Sequence, residues 1–344
     1  MASDRSVRIG IAGLGRLGAR HARMLASRIP RAQLVAACSP LEQERAWATQ
    51  ELRVPEVHAR YEDLVARDDI DAVVLVTPTT EHAHQIIAAL EAGKHVFSEK
   101  PTSLGLEDCL RVEQAAARHP QRKVLIGYVR RFDASYRDAF DQVSRGAIGM
   151  PFLVRSHTLD KNDPSGFFVR FAPTSGGIFL DMSVHDIDAA RWFLGGPKPV
   201  RVFATGTVAV HEGLKACGDL DNGMALCEFE GGKIACFQAS RTMAHGHESM
   251  TEVIGTEGRL AIGANPWLTR VGIADAHGVR NECTPTFYER FEDAFAAELT
   301  AFVAAVLDDA PLPLTLHDAT EATRIGIAIQ ESIRTRRAVD IGAG

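Results

Sequence analysis

An aspartate and a histidine stand four residues apart in the segment 175–186, which reads SGGIFLDMSVHD. Side chains at this spacing project from one face of a helix, so Asp181 and His185 can act together. Histidine titrates close to neutral pH, which makes its side chain well suited to taking up a proton. The pair therefore predicts a site of acid–base chemistry.

A second group of reactive side chains comes earlier in the chain, where residues 98–101 read SEKP. They directly follow a short predicted strand over residues 95–97. Ligands of open α/β sheets bind at the carboxyl ends of the strands. We therefore expect Glu99 and Lys100 to lie at a ligand site.

Three glycines near the start of the chain, Gly13, Gly15 and Gly18, follow the pattern GxGxxG. A strand is predicted directly before them and a helix over residues 17–26. The first glycine permits a tight turn, the second lets the backbone approach a pyrophosphate, and the third allows close helix–strand packing. The helix start offers N–H groups and a positive dipole end to the phosphates. The turn, including Arg16 and Leu17, therefore predicts a dinucleotide site.

The residue after the second predicted strand bears on which dinucleotide is bound. An acid at this position usually grips the adenosine ribose, but here the residue is Ser39. Serine can hydrogen-bond a ribose hydroxyl, but it does not repel a 2′-phosphate. The nearest arginine, Arg45, is six residues on. The pattern does not exclude binding of NADP, but it favours NAD.

The elements that must position these residues change in character along the chain. Up to residue 127, short apolar strands alternate with helices, which predicts βαβ units and a parallel Rossmann sheet. From about residue 150, consecutive strands with glycine turns at 231–232 and 257–258 predict hairpins. We expect an α/β protein with a Rossmann domain over 1–127. A second α/β domain over 128–344 would have a large, mostly antiparallel open sheet, with helices around 181–193, 290–307 and 318–335 on one face.

Composition excludes several classes of protein. The chain has 344 residues and a formal net charge of −6, which argues against nucleic-acid binding. The sequence has no apolar run that approaches the roughly 20 residues needed to cross a bilayer. The N-terminal segment enters a strand pattern at once, so no signal peptide is expected. The six cysteines have no metal-ligand spacing, so we expect reduced thiols, no metal and a cytoplasmic protein.

Over essentially its whole length the sequence resembles the glucose–fructose oxidoreductase / inositol dehydrogenase / MocA family. Four segments carry the resemblance: GIAGLGRLGARHA at 10–22, TPTTEH at 77–82, EKP at 99–101 and GGIFLDMSVHDID at 176–188. Finer features resemble its inositol 2-dehydrogenase branch, namely GYVRRFD at 127–133, RW at 191–192, GDLD at 218–221 and YERF at 288–291.

The resemblance implies NAD-dependent oxidation of myo-inositol, or a stereoisomer, to an inosose. It implies that Lys100, Asp181 and His185 form the catalytic group. Of the three, His185 is the best candidate for the base, because histidine titrates nearest to neutral pH. Asp181 would orient or stabilise the imidazole, and the Lys100 ammonium would hold the reacting oxygen. Further cofactor-binding residues would be Thr77, Pro78, Thr79, His82, Glu99 and Lys100. Further substrate-binding residues would be Arg130, Asp160, His245 and Tyr288.

Other interpretations remain open at this point. The substrate can be an aldose or another sugar. From other classes, an NAD-dependent glycosidase or a non-catalytic NAD-sensing protein would share the cofactor fold. Packing or loop roles would also explain Asp160, His245 and Tyr288, and an ion pair with Asp133 would explain Arg130.

The predicted strand over 233–241 has apolar residues on both faces, since Ile234 and Cys236 alternate with Ala235 and Phe237. One face can pack on helices, whereas the other would leave apolar surface in water. Such surfaces usually mark association sites, and closed symmetry is common. We therefore expect a homo-oligomer, namely a tetramer.

Overall fold

The computed structural model describes residues 5–342, and the chain divides into two compact units. The first unit comprises the chain up to Phe132 together with Asp293–Thr320. The second comprises Asp133–Glu292 and the chain from Glu321 onward. The first unit therefore includes a C-terminal segment in addition to the region 1–127 expected from sequence.

The first unit is built on six parallel strands in the order β3-β2-β1-β4-β5-β6. The order reverses at β1, which is the position where doubly wound sheets bind ligands. The predicted Rossmann sheet is confirmed, and only the short strand β3 was not predicted. The elements are β1 (Val7–Ala12), α1 (Gly18–Ser27), β2 (Ala32–Cys38), α2 (Glu42–Gln50), β3 (Glu56–His58), α3 (Tyr61–Val65), β4 (Ala72–Leu75), α4 (Thr79–Glu91), β5 (His95–Glu99), α5 (Leu106–Arg118) and β6 (Val124–Gly127).

Continuous burial explains why these short apolar runs form central strands. All four residues of β4 are fully buried, and the side chains of Val7, Ile9 and Ile11 in β1 are 0–1% exposed. A parallel sheet covered by helices on both faces needs such runs rather than alternation. The carboxyl ends of β1, β4 and β5 consequently share one edge of the sheet, where the glycine turn and the EKP segment begin.

The second unit contains a seven-stranded sheet in the order β12-β11-β7-β10-β9-β8-β15. Of its neighbouring pairs only β7 and β10 are parallel, so the mostly antiparallel prediction is confirmed. Its elements are α6 (Ala134–Ser144), β7 (Pro151–Lys161), α7 (Phe167–Phe171), α8 (Val184–Phe193), β8 (Pro199–Thr207), β9 (Asn222–Phe229), β10 (Lys233–Met243), β11 (Glu248–Gly255), β12 (Arg259–Ile262), β13 (Trp267–Asp275), β14 (Gly278–Cys283) and β15 (Val339–Asp340). Two further helices, α9 (Phe287–Asp308) and α10 (Leu316–Thr335), each contain a boundary between the two units.

The glycine turns and the strand alternation are also confirmed. Gly231 and Gly232, both at positive φ, connect β9 to β10, and Gly258 ends the turn between β11 and β12. Along β10, Ala235, Phe237 and Ala239 are fully buried, and α8 packs against β7 and β10. The opposite sheet face is exposed. Its large apolar side chains include Phe203, Met224, Leu226 and Ile234.

Helical structure in this unit differs from the prediction at the start of α8 and at helices α6 and α7, which were not predicted. The α-helix expected over 181–193 begins only at Val184, because Phe179–Ser183 form a π-helical turn. Helix α6 was not predicted, although its N-cap was visible in the sequence: Asp133 accepts hydrogen bonds from the backbone N–H groups of Ser135 and Tyr136. No helix of the described residues is long and apolar enough to cross a membrane.

Candidate active site

The glycine turn has the shape that a dinucleotide requires. Gly13 has φ of +88°, and a Cβ there would lie 2.4 Å from the carbonyl oxygen of Val76. A Cβ on Gly18 would lie 2.0 Å from the Gly13 carbonyl oxygen, so both positions need glycine. Gly15 and Arg16 are exposed, and Leu17 is half-buried directly before α1. The open backbone at Gly15 leaves room for a pyrophosphate, so this turn fits the NAD group.

The turns after β4 and β5 are joined by His82 on α4. Its Nδ1 lies 2.8 Å from the Pro101 carbonyl oxygen and its Nε2 lies 2.9 Å from that of Thr77. Burial lowers the pKa of His82, which favours the neutral ring with a single N–H. The imidazole lies between the segments around Thr77 and Lys100 at one sheet edge, and its single N–H can donate to only one of the two carbonyl oxygens. Pro78 and Thr79 form the start of α4 in the same segment.

Glu99 lies in a buried cluster directly before Lys100. Its Oε1 is 2.8 Å from the His21 Nε2, and its Oε2 accepts the backbone N–H of Lys100 at 3.3 Å. Glu298, fully buried beside it, has a pKa raised well above the usual range by burial and by the Glu99 charge. Glu99 therefore fixes the turn that presents the half-buried Lys100.

The three side chains of this cluster also have atoms that could ligate a metal. One ligand atom from each of His21, Glu99 and Glu298 falls within 4.8 Å of the others. A metal bound there would have to displace the proton that the raised pKa of Glu298 favours. The absence of a metal stays a prediction.

In the second unit, Asp181 is held by a fully buried arginine. The Arg241 Nη2 donates to the Asp181 Oδ2 at 2.8 Å, and its Nη1 donates to the Asp219 Oδ2 at 2.8 Å. The other oxygen of Asp219 accepts the backbone N–H of Ile178 at 2.8 Å. Burial works against the charge of Arg241, but the two carboxylates outweigh it and raise its pKa. The guanidinium therefore holds the Asp181 carboxyl group in a fixed position.

His185 is half-buried in the first turn of α8, whereas Asp181 lies in the preceding π-helical turn. The rule that side chains four apart share a face applies within one α-helix, so it does not describe this pair. π-helical turns are frequent at functional sites. Asp186, on the same helix, has a structural role, since it accepts hydrogen bonds from Ser156 at 2.6 Å and Thr158 at 2.8 Å.

The parallel pair β7 and β10 ends at one sheet edge, which brings further candidates together. Asp160 lies near the end of β7, and its Oδ1 is 2.7 Å from the Nδ1 of the buried His247. Ser240, directly before Arg241, pairs with Leu159, directly before Asp160. The ion pair of Arg241 therefore lies at the same edge as Asp160.

The remaining predicted residues lie elsewhere in the two units. His245 is exposed between β10 and β11, with its Nε2 3.2 Å from Glu248. Tyr288 is buried in the first turn of α9 beside Phe287, with ring centroids 4.0 Å apart. Arg130 is buried in the short helical turn Val129–Phe132 of the first unit.

Three residues that contact the predicted site residues of the second unit were missed from sequence: Arg241, Asp219 and His247. The GDLD segment contained a signal for Asp219, but its partner Arg241 is 22 positions away. Nothing local in the sequence marks a buried arginine on a strand. The position of β10 in the sheet brings Arg241 to Asp219 and Asp181, and this position cannot be read from the local sequence.

Two family models match the chain. One describes an oxidoreductase family with an NAD-binding Rossmann fold and matches residues 7–128. The other describes the GFO/IDH/MocA C-terminal domain and matches residues 136–261.

Similar proteins cover the chain almost completely. The scyllo-inositol 2-dehydrogenase (NAD(+)) of Bacillus subtilis (strain 168) is 35% identical over 340 residues, 98% of this chain and 97% of that protein. The myo-inositol 2-dehydrogenase of Thermotoga maritima is 32% identical over 338 residues, 97% of this chain and 98% of that protein. A crystal structure of the Lactobacillus casei scyllo-inositol dehydrogenase with bound NAD(H) and scyllo-inositol superposes with a TM-score of 0.94 and 40% identity. It covers 98% of this chain and 100% of that one.

Proposed function

Because the chain belongs to the GFO/IDH/MocA family of NAD-binding oxidoreductases, we propose that it oxidises a ring CH–OH group of an inositol to an inosose. The substrate is myo-inositol or a stereoisomer. The observation that carries this proposal is end-to-end similarity to NAD-dependent inositol dehydrogenases. The chain has Lys100, Asp181 and His185, the three residues to which the family resemblance assigns the catalysis. When bound, NAD supplies the hydride acceptor.

The proposed chemistry assigns one task to each of the three side chains. An alcohol loses hydride only as its hydroxyl proton leaves, so a base must lie within hydrogen-bond reach. His185 takes that proton. Asp181, held in place by Arg241, stabilises the imidazolium that results. The Lys100 ammonium stabilises negative charge developing on the substrate oxygen.

We propose that polyol hydroxyls are also bound by Arg130, Asp160, His245 and Tyr288, which offer charged or hydrogen-bonding groups. Thr77, Pro78, Thr79, His82, Glu99 and Lys100 form the cofactor side of the site with the turn at Gly13, Gly15, Arg16, Leu17 and Gly18. Ser39, at the end of β2 beside this turn, contributes by positioning its neighbours rather than by donating to the cofactor. His82 and Glu99 support this assignment by fixing the two turns.

A panel of substrates assayed by NADH absorbance tests this function. We expect kcat/KM to be highest for one or more inositols and at least tenfold lower for aldoses. Higher kcat/KM for an aldose would assign the enzyme to a sugar instead. Cleavage of a glycoside without release of NADH would assign it to the NAD-dependent glycosidases.

We further propose a homotetramer, because the exposed face of the seven-stranded sheet is apolar. Phe203 and Leu226 are direct neighbours on β8 and β9, and they are 47% and 39% exposed. Met224, on the same face, is 59% exposed. Such a patch is best covered by a second copy of the chain.

Light scattering tests the assembly. We expect a mass of four times 37.3 kDa, and a smaller species for Leu226→Glu, which places a charge in the patch. Leu110→Glu on α5 of the first unit is the matched control, and we expect its mass to be unchanged. A mass of 37.3 kDa for the wild type at micromolar concentration would exclude the oligomer.

The cellular location proposed is the cytoplasm. All six cysteines lie in described residues as free thiols, and several are buried in the two units. Reduced cysteines are typical of cytoplasmic proteins.

A further inference from the structure

The hydroxyl of Ser39, at the end of β2, is engaged inside the protein. Ser39 is 1% exposed, and its Oγ donates to the Oε2 of Glu44 at 2.5 Å. The same Oγ accepts the backbone N–H of Leu41 at 3.1 Å. Its only proton is therefore used by Glu44, and it has none to offer a ribose. Ser39 instead fixes the position of a carboxylate on the first turn of α2.

The second oxygen of that carboxylate faces the glycine turn. A Cβ built on Gly15 would lie 3.8 Å from the Oε1 of Glu44. Apart from chain neighbours, this is the only heavy atom of the described residues within 4 Å of that point. Glu44 is half-buried and Gly15 is exposed. A negative charge thus stands between the end of β2 and the glycine that a pyrophosphate approaches.

We propose that Glu44 binds the adenosine ribose hydroxyls of NAD and disfavours the 2′-phosphate of NADP. An acid at the end of β2 usually performs this role, and α2 supplies it here because Ser39 holds Glu44 in place. A carboxylate accepts both ribose hydroxyls as charge-assisted hydrogen bonds and repels a phosphate at the same site.

A positive charge, the guanidinium of Arg45, also lies at this edge. The Nη1 of Arg45 donates to the carbonyl oxygens of Ser39 and Pro40, each at 2.8 Å. These two bonds tie the guanidinium to the backbone of the turn on which Glu44 rests. Arg45 therefore supports the turn, whereas an NADP-binding arginine would need to face the 2′-phosphate.

Equilibrium binding of NADH and NADPH, measured by calorimetry without any polyol, tests the proposal. We expect wild type to bind NADH more tightly than NADPH. Glu44→Gln keeps the shape and a partner for Ser39 but removes the charge, so we expect about tenfold weaker NADH binding or more. NADPH binding should be unchanged or stronger. Ser39→Ala should weaken NADH binding less, because it only loosens Glu44.

Binding of two further ligands distinguishes the loss of this contact from a general loss of structure. 2′-Deoxy-NADH lacks one hydroxyl, so Glu44→Gln should weaken its binding less than that of NADH. Reduced nicotinamide mononucleotide lacks the adenosine, so its binding should be the same for both proteins. Equal binding of NADH by wild type and Glu44→Gln would overturn the proposal, as would preferential NADPH binding by wild type. The inference rests on NAD binding by the family and not on the inositol substrate. Failure of the proposed inositol oxidation would leave it unaffected, because the binding assay contains no polyol.

Discussion

Replacement of His185 by alanine is expected to lower kcat/KM for the polyol about 10²–10⁴-fold, the usual effect of a positioned acid–base group. Wild-type kcat/KM should fall as the pH drops through the range in which histidine titrates, because oxidation needs the neutral imidazole. The residual activity of His185→Ala should lack this acidic limb. Its NADH affinity should be close to that of wild type, because the glycine turn belongs to the first unit.

The matched control for this prediction is His277→Ala. His277 is exposed in the turn between β13 and β14, so its loss should leave both the rate and the pH profile unchanged. Near-wild-type turnover of His185→Ala with the same acidic limb would show that histidine is not the base. Lys100 or Asp181 would then have to take the proton.

Arg241→Met is expected to lower the free energy of unfolding by about 3–5 kcal/mol, the range found when one partner of a buried ion pair is removed. The arginine side chain is 0% exposed, and Asp219 and Asp181 are 3% and 21% exposed. Methionine fills similar volume but leaves two carboxylates without their countercharge. Activity should also fall, because Asp181 loses the group that fixes it. Denaturant unfolding and kcat/KM measure the two effects.

Three further variants make this result specific. Arg241→Lys keeps the charge but lacks the guanidinium fork that reaches both carboxylates, so its stability should be intermediate. Adding Asp219→Asn to Arg241→Met should restore part of the lost stability, because one unpaired charge is removed. Arg201→Met, at an exposed pair with Asp340, should change little. Equal stability of wild type and Arg241→Met would contradict the importance of this ion pair.

Local patterns in the sequence were sufficient for most of the first unit. The strand-and-helix alternation and the glycine turn follow from residues that are neighbours in the chain, such as Gly13 and Gly18. β3 was missed because a three-residue edge strand leaves almost no periodic signal. In the second unit the glycine turns predicted the hairpins, but the exposed hairpin β13–β14 has little burial pattern to reveal it.

The candidate site was harder to predict from sequence, because its contacts join residues that are distant in the chain. Asp181 and His185 could be named, but the π-helical turn between them could not, since it depends on the packing around Phe179–Ser183. The absence of an acid at Ser39 drew attention to the end of β2. In the structure the Ser39 hydroxyl donates to Glu44, five residues later, to which we assign the ribose-binding role as a proposal. A residue-by-residue comparison with an expected motif cannot find an acid supplied by the next helix.

The measurement that tests the central claim most directly follows the ring hydrogen of the substrate. The purified chain would be incubated with NAD and scyllo-inositol deuterated at every ring carbon, and the reduced cofactor analysed by mass spectrometry. We expect one deuterium per NADH formed, together with an equal amount of inosose. Reduced cofactor without deuterium, or no reduced cofactor with any inositol isomer, would contradict it.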